Sequence, residues 1–128
     1  MSRIEKKYKV NTSAEAFLEA LTNQTMVSQW SGAPAIMGRD EGQSFSLWGD
    51  SIVGYNVEVS DTKLIQSWKE NQWAGYSRVI FSWTELEKGI AVTLLHEDIP
   101  PESYDNLVRG WDDHYMNPLI TWLESNNL

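Results

Sequence analysis

The sequence predicts an α+β fold: a curved antiparallel sheet of about six or seven strands around a long C-terminal helix, with two short helices after the first strand. Three observations carry this. From Pro100 to Glu124, Tyr104, Leu107, Val108, Trp111, Tyr115, Leu119, Trp122 and Leu123 recur at three- and four-residue steps, the helical period. Asp105, Asn106, Arg109, Asp112, Asp113, Asn117 and Glu124 fall largely on the other side. From residue 34 to the start of that helix, short alternating runs are separated by polar turns, the pattern of an antiparallel meander. Between residues 12 and 32, two short apolar segments each carry a capping signal.

The elements follow in order. Glu5 to Val10 alternates and predicts the first strand, with Tyr8 and Val10 on one face. Thr12-Ser13-Ala14-Glu15 fits a capping box, with Thr12 as the cap. Ala14, Phe17, Leu18 and Leu21 then form the apolar side of a short helix. Thr22-Asn23 breaks it and caps a second helix bearing Met26, Val27 and Trp30, which Ser31-Gly32 ends. Short strands are expected at Pro34 to Gly38 and Ser44 to Trp48, with Gly49-Asp50 as a hairpin turn. Ile52 to Val59 alternates, placing Val53, Tyr55, Val57 and Val59 opposite Ile52, Gly54, Asn56 and Glu58. Leu64 to Glu70, Arg78 to Glu87 and Ile90 to Glu97 complete the meander, and Val79, Phe81 and Trp83 share one face. Pro100-Pro101 stops the last strand and opens the helix. Pro118 has no N–H for the carbonyl of His114, so a bend is expected there.

With 128 residues the chain is expected to form a single domain, residues 1–128. Its hydrophobic fraction of 41% is ordinary, but seven tryptophans are not. A net charge of -8 opposes binding to nucleic acid, and the only basic cluster is Arg3, Lys6, Lys7 and Lys9. No apolar run approaches a membrane span and no signal peptide is evident, so a cytoplasmic location is expected. There is no cysteine, and two histidines without H-x-x-x-H spacing make a metal site unfavourable. Phosphate-cradle and nucleophile-elbow motifs are absent, and no cofactor is expected.

A helix gripped by a sheet leaves room for an apolar pocket with a few polar groups. Its candidate lining is Trp30, Trp48, Trp68, Trp83, Trp111 and Tyr115, with Asn56 and His96 as polar members. The same spacing serves a packed core equally well. His96 alternates with Val92 and Leu94 on an apolar strand face, so it is either a general base or a hydrogen-bonded structural residue. His114, beside Asp112 and Asp113, belongs to the solvated side of the helix. Trp73, in the loop Asn71 to Gly75, is either an exposed anchor for a partner or part of a loop folded back over the sheet.

The motifs point to a family. "SAEAFLEALTNQTMVSQW" at Ser13 to Trp30 is followed by "SGAPA" at Ser31 to Ala35 and by Gly42-Gln43-Ser44-Phe45. Ile52-Val53-Gly54, Ile65-Gln66-Ser67-Trp68, His96-Glu97-Asp98-Ile99-Pro100, Gly110-Trp111 and Tyr115 complete the series. In this order they resemble the domain shared by activators of heat shock protein 90 ATPase. That family belongs to the START-like superfamily with the birch-pollen allergen and polyketide cyclases. The resemblance implies the helix-grip fold. The leading expectation is a non-enzymatic binding domain that takes either an apolar small molecule in the cavity or a protein partner, for which the resemblance implies a heat shock protein 90 chaperone. The alternative is a cyclase- or hydrolase-like enzyme using the same cavity, with His96 as base and Tyr115 as hydrogen-bond donor.

Overall fold

The structure is a computed structural model and describes residues 2–127. Strand β1 (Ser2–Val10) leads into helices α1 (Ala14–Thr22) and α2 (Gln24–Ser31). Strands β2 (Ser44–Leu47), β3 (Ile52–Val59), β4 (Lys63–Glu70), β5 (Ser77–Glu85) and β6 (Ile90–Ile99) follow. All six join in one antiparallel sheet in the order β1-β6-β5-β4-β3-β2. The terminal helix lies against it, giving the helix-grip fold that the sequence predicts. Among the described residues no helix is long and apolar enough to cross a membrane.

Capping explains the two short helices, with one shift from expectation. The α1 cap is Ser13, whose Oγ accepts from the Ala16 amide at 3.0 Å. Thr12, expected in that role, is buried with its hydroxyl unpartnered. Asn23 caps α2 as expected, its Oδ1 accepting from the Met26 amide at 3.1 Å. Gly32 ends α2 at φ 78°, a backbone that side chains disfavour.

Within the sheet, Val79, Phe81 and Trp83 of β5 and Val92, Leu94 and His96 of β6 all turn inward and are buried. In β3 the inward face is Ile52, Gly54 and Asn56, while Tyr55 and Val57 stand exposed. A Cβ at Gly54 would collide with the Ser67 carbonyl and the Phe45 ring, so glycine permits that close packing. The expected strand at Pro34 to Gly38 is reduced to a single bridge, Ile36 to Ser46.

The terminal helix is not uniform. A 3-10 turn (Pro101–Ser103) precedes α3 (Tyr104–Gly110). A π-helical turn (Trp111–Met116) then leads into α4 (Asn117–Ser125). The irregularity expected at Pro118 thus falls just before it, as a widened turn in which the Asn117 amide reaches back to Asp112. The wide turn lets Trp111, Tyr115 and Met116 all be buried against the sheet. It is tied to β1 by Asp112, which accepts from Lys6 Nζ at 2.7 Å and from Tyr8 Oη at 2.6 Å. Burial, the hydrogen bond to Asp112 and its negative charge push the Tyr8 hydroxyl pKa well above the ordinary range. Partial burial works to raise the Asp112 pKa, but the bonds from Lys6 and Tyr8 and the Lys6 charge together lower it.

Candidate functional site

The terminal helix and the sheet do not close on each other along their whole length. A groove of about 370 Å³ opens between Leu107, Gly110, Trp111, His114 and Tyr115 on the helix and Ile52, Trp68 and Glu70 on the sheet. The β2–β3 turn adds Trp48 and Ser51 at one end. That volume falls at the lower end of the range for small-molecule sites.

Aromatic packing shapes the walls. Trp68 stacks on Trp111 with centroids 5.4 Å apart, and Tyr115 packs against Trp111 at 4.9 Å. Tyr115 is also stacked on Phe81 at 5.6 Å and lies edge-on to Trp30 at 4.7 Å. The turn residue Trp48 has φ 50°, an uncommon backbone for so large a side chain, and Gly49 and Asp50 share that region. Its indole donates to the Ser31 carbonyl at 3.1 Å, which holds the strained turn against α2. Gly110 leaves the helix wall thin. A Cβ there would meet only His114 Cδ2, at 3.9 Å, which is ordinary contact.

Directly behind Trp111 lies a closed polar cluster. His96 is fully buried. The Trp111 indole donates to His96 Nδ1 at 3.0 Å. Indole nitrogen is only a donor, so Nδ1 carries no proton and Nε2 does. Nε2–H then donates to Ser77 Oγ at 2.7 Å, and the Ser77 hydroxyl donates to the Trp68 carbonyl at 2.6 Å. Every polar atom of this chain is used. Burial lowers the His96 pKa to about 3, so the ring is neutral.

The sequence-predicted site residues divide cleanly. Trp48, Trp68, Trp111 and Tyr115 meet at the groove. Trp30 lies behind Tyr115, with its N–H given to the Ala20 carbonyl. Trp83 packs edge-on against Phe17 of α1 and donates to the Asp61 carbonyl. Asn56 is a structural bracket: its Nδ2 donates to the Gly38 and Asp40 carbonyls, and its Oδ1 accepts from Gln66. His96 does not line the groove, and both its nitrogens are occupied, so it is not placed to act as a general base there. Trp73 is buried and donates to Ser103 Oγ at 3.1 Å, with its ring near Trp68 and His96. The loop is folded back over the sheet, and the exposed-anchor expectation is corrected. His114 is exposed, as expected, yet it forms part of the groove rim. Ile52, Glu70 and Leu107 are groove residues outside the expected lining; Leu107 lies on the apolar helix face already marked by its period, whereas nothing in the local pattern singles out Ile52 or Glu70. Among the described residues no three His, Asp or Glu side chains gather as a metal site would need.

A family model described as Activator of Hsp90 ATPase homolog 1-like protein matches residues 11–124. The chain belongs to this family. An uncharacterized protein of Schizosaccharomyces pombe is 21% identical over 121 residues, covering 92% of this chain and 36% of its own length. An activator of 90 kDa heat shock protein ATPase homolog of Dictyostelium discoideum is 28% identical over 82 residues, 61% of this chain and 21% of that protein. The chain thus spans about a third or less of these relatives. Among solved structures, an HSP90 activator from Plasmodium falciparum superposes with a TM-score of 0.90 at 20% identity, covering 97% of both chains. The family resemblance and the fold drawn from the sequence are both borne out.

Proposed function

We propose that this family member is a non-catalytic binding domain, and that the groove between its terminal helix and its sheet takes an apolar small molecule. The observation that carries this reading is the open contact between helix and sheet at Gly110, walled by Trp48, Trp68, Trp111 and Tyr115. Aromatic walls with few polar groups are the usual make-up of a ligand site. The neutral, fully bonded His96 behind the wall supports binding over acid–base catalysis.

The test is a titration with N-phenyl-1-naphthylamine, a neutral apolar dye whose fluorescence rises on leaving water. Enhancement is expected with the natural chain and is lost in Gly110→Leu, which fills the groove from the helix side. Equal enhancement in both proteins, or none in either, would remove the groove as the site.

A second reading rests on the match to the Plasmodium falciparum HSP90 activator over nearly the full length of both chains. On this reading the domain docks on a heat shock protein 90 chaperone, and the acidic surface of the chain meets a basic patch on it. Amide NMR spectra recorded with and without the purified chaperone test it. Shifts confined to one surface support docking, and an unchanged spectrum at high chaperone concentration sets it aside.

A further inference from the structure

Buried tryptophans and tyrosines need partners for their N–H and O–H groups. In this molecule five indoles have them: Trp30, Trp48, Trp73, Trp83 and Trp111 all donate within the protein, at 2.8–3.1 Å. Trp68 is also buried, at 3% exposure, yet its Nε1–H has no partner among the described residues. Tyr115, equally buried, has no partner for its hydroxyl among the described residues. Among the described residues the one side-chain polar atom that is both sealed from solvent and unpartnered is Thr12 Oγ1. The polar atoms of Trp68 and Tyr115 are thus not wholly sealed, and the groove is the opening that both residues line.

We propose that the groove recognises a neutral, flat apolar molecule through a carbonyl-type acceptor oxygen, bound by the Trp68 N–H and the Tyr115 O–H. This rests on the groove-binding reading and adds the chemistry of the ligand. A flat molecule suits an aromatic wall in which Trp68 is stacked on Trp111 at 5.4 Å and Tyr115 lies tilted against Trp111 at 4.9 Å. An acceptor is required because indole can only donate. Burial raises the Tyr115 pKa well above the ordinary phenol value, so its hydroxyl keeps its proton and can donate too. An anion is disfavoured by the lining, whose ionisable members besides Tyr115 are Glu70 and the rim residue His114, with no lysine or arginine, and the apolar aromatic walls favour an uncharged molecule. His96 cannot supply the charge, because its ring lies behind Trp111 and is neutral.

The experiment uses two probes of nearly equal shape. 2-Acetonaphthone carries a ketone oxygen, and 2-ethylnaphthalene does not. Each is titrated into the labelled full chain, and affinity is read from amide shifts at Gly110 and His114. The ketone is expected to bind roughly tenfold more tightly, the scale of one or two hydrogen bonds to otherwise unpaired groups. Trp68→Phe and Tyr115→Phe each remove one donor and keep a ring, so each is expected to lower the ratio of ketone to hydrocarbon affinity, which is the quantity read because either substitution also reshapes the wall. Equal affinity of the two probes for the natural chain overturns the acceptor proposal and leaves the groove reading standing. A preference for the ketone that survives both substitutions also overturns it. If neither probe binds, the groove reading itself falls, and this inference with it.

Discussion

Trp111 separates two aromatic regions made from the same kinds of residue. Toward β6 its indole enters a chain of hydrogen bonds through His96 and Ser77 to the Trp68 carbonyl, and no donor or acceptor in that chain is left over. Toward the β2–β3 turn its ring meets Trp68 and Tyr115, whose own donors are unpaired among the described residues. Burial is equally deep on both sides, so burial does not tell structural from binding residues here. Completeness of hydrogen bonding does. A satisfied polar cluster fixes a core, whereas unpaired donors beside an opening are available to a ligand.

The closed side should be the costly one to disturb. His96→Ala leaves a cavity and strands the Trp111 N–H, and about 4 kcal/mol of stability is expected to be lost, measured by urea denaturation. A loss under 1 kcal/mol would mean that the cluster does not hold the core. Acid gives the next effect. The folded pKa of His96 is lowered to about 3 from its ordinary value of 6.5, so the unfolded chain takes up a proton that the folded chain refuses. Stability is therefore full above pH 6.5, falls as the pH drops through that value, and goes on falling until about pH 3. Between pH 7 and 5 this amounts to about 2 kcal/mol, and His96→Gln should flatten that part of the profile. A profile as steep in the variant as in the natural chain would trace the slope to another group.

The open side should yield little in stability. Tyr115→Phe removes a hydroxyl with no internal partner, and a change of less than about 1 kcal/mol is expected in the same urea assay. A larger loss would reveal a bond to the hydroxyl. Gly110→Ala is the mildest case and runs the other way. The new methyl meets only ordinary contact. A gain of about 0.5 kcal/mol is expected from the lost freedom of the unfolded chain, seen as a small rise in Tm.

The division between the regions was only partly legible in the sequence. Alternation in β5 placed Val79, Phe81 and Trp83 on one face because that strand is regular and every second residue meets the core. The period of the terminal helix placed Leu107, Trp111, Tyr115, Leu119 and Leu123 together for the same reason. Met116 escaped it, since only the widened turn brings that residue inward. Local pattern also cannot say which tryptophan finds a carbonyl. Trp30 and Trp83 take theirs from α1 and from the β3–β4 turn, contacts made only when the chain is folded. The same holds for His96, whose tautomer depends on Ser77, nineteen positions away, and on Trp111, fifteen away. Thr12 and Ser13 are chemically equivalent caps, and a one-residue choice between them lies within the usual uncertainty of helix ends.

The π-helical turn has a consequence for how the molecule can vary. Leu107, upstream of it, and Trp111, its first residue, keep step with the groove; downstream, Leu119 and Leu123 keep step with the core beneath α1 and α2. One spine thus runs in two phases, with a residue of slack between them. That slack lies inside the groove wall, since Trp111, His114 and Tyr115 of the turn all line the groove, so trimming or adding a residue there would turn either the wall or the core-facing Leu119 and Leu123 out of step. Core and groove are meshed through that one turn of a single rod.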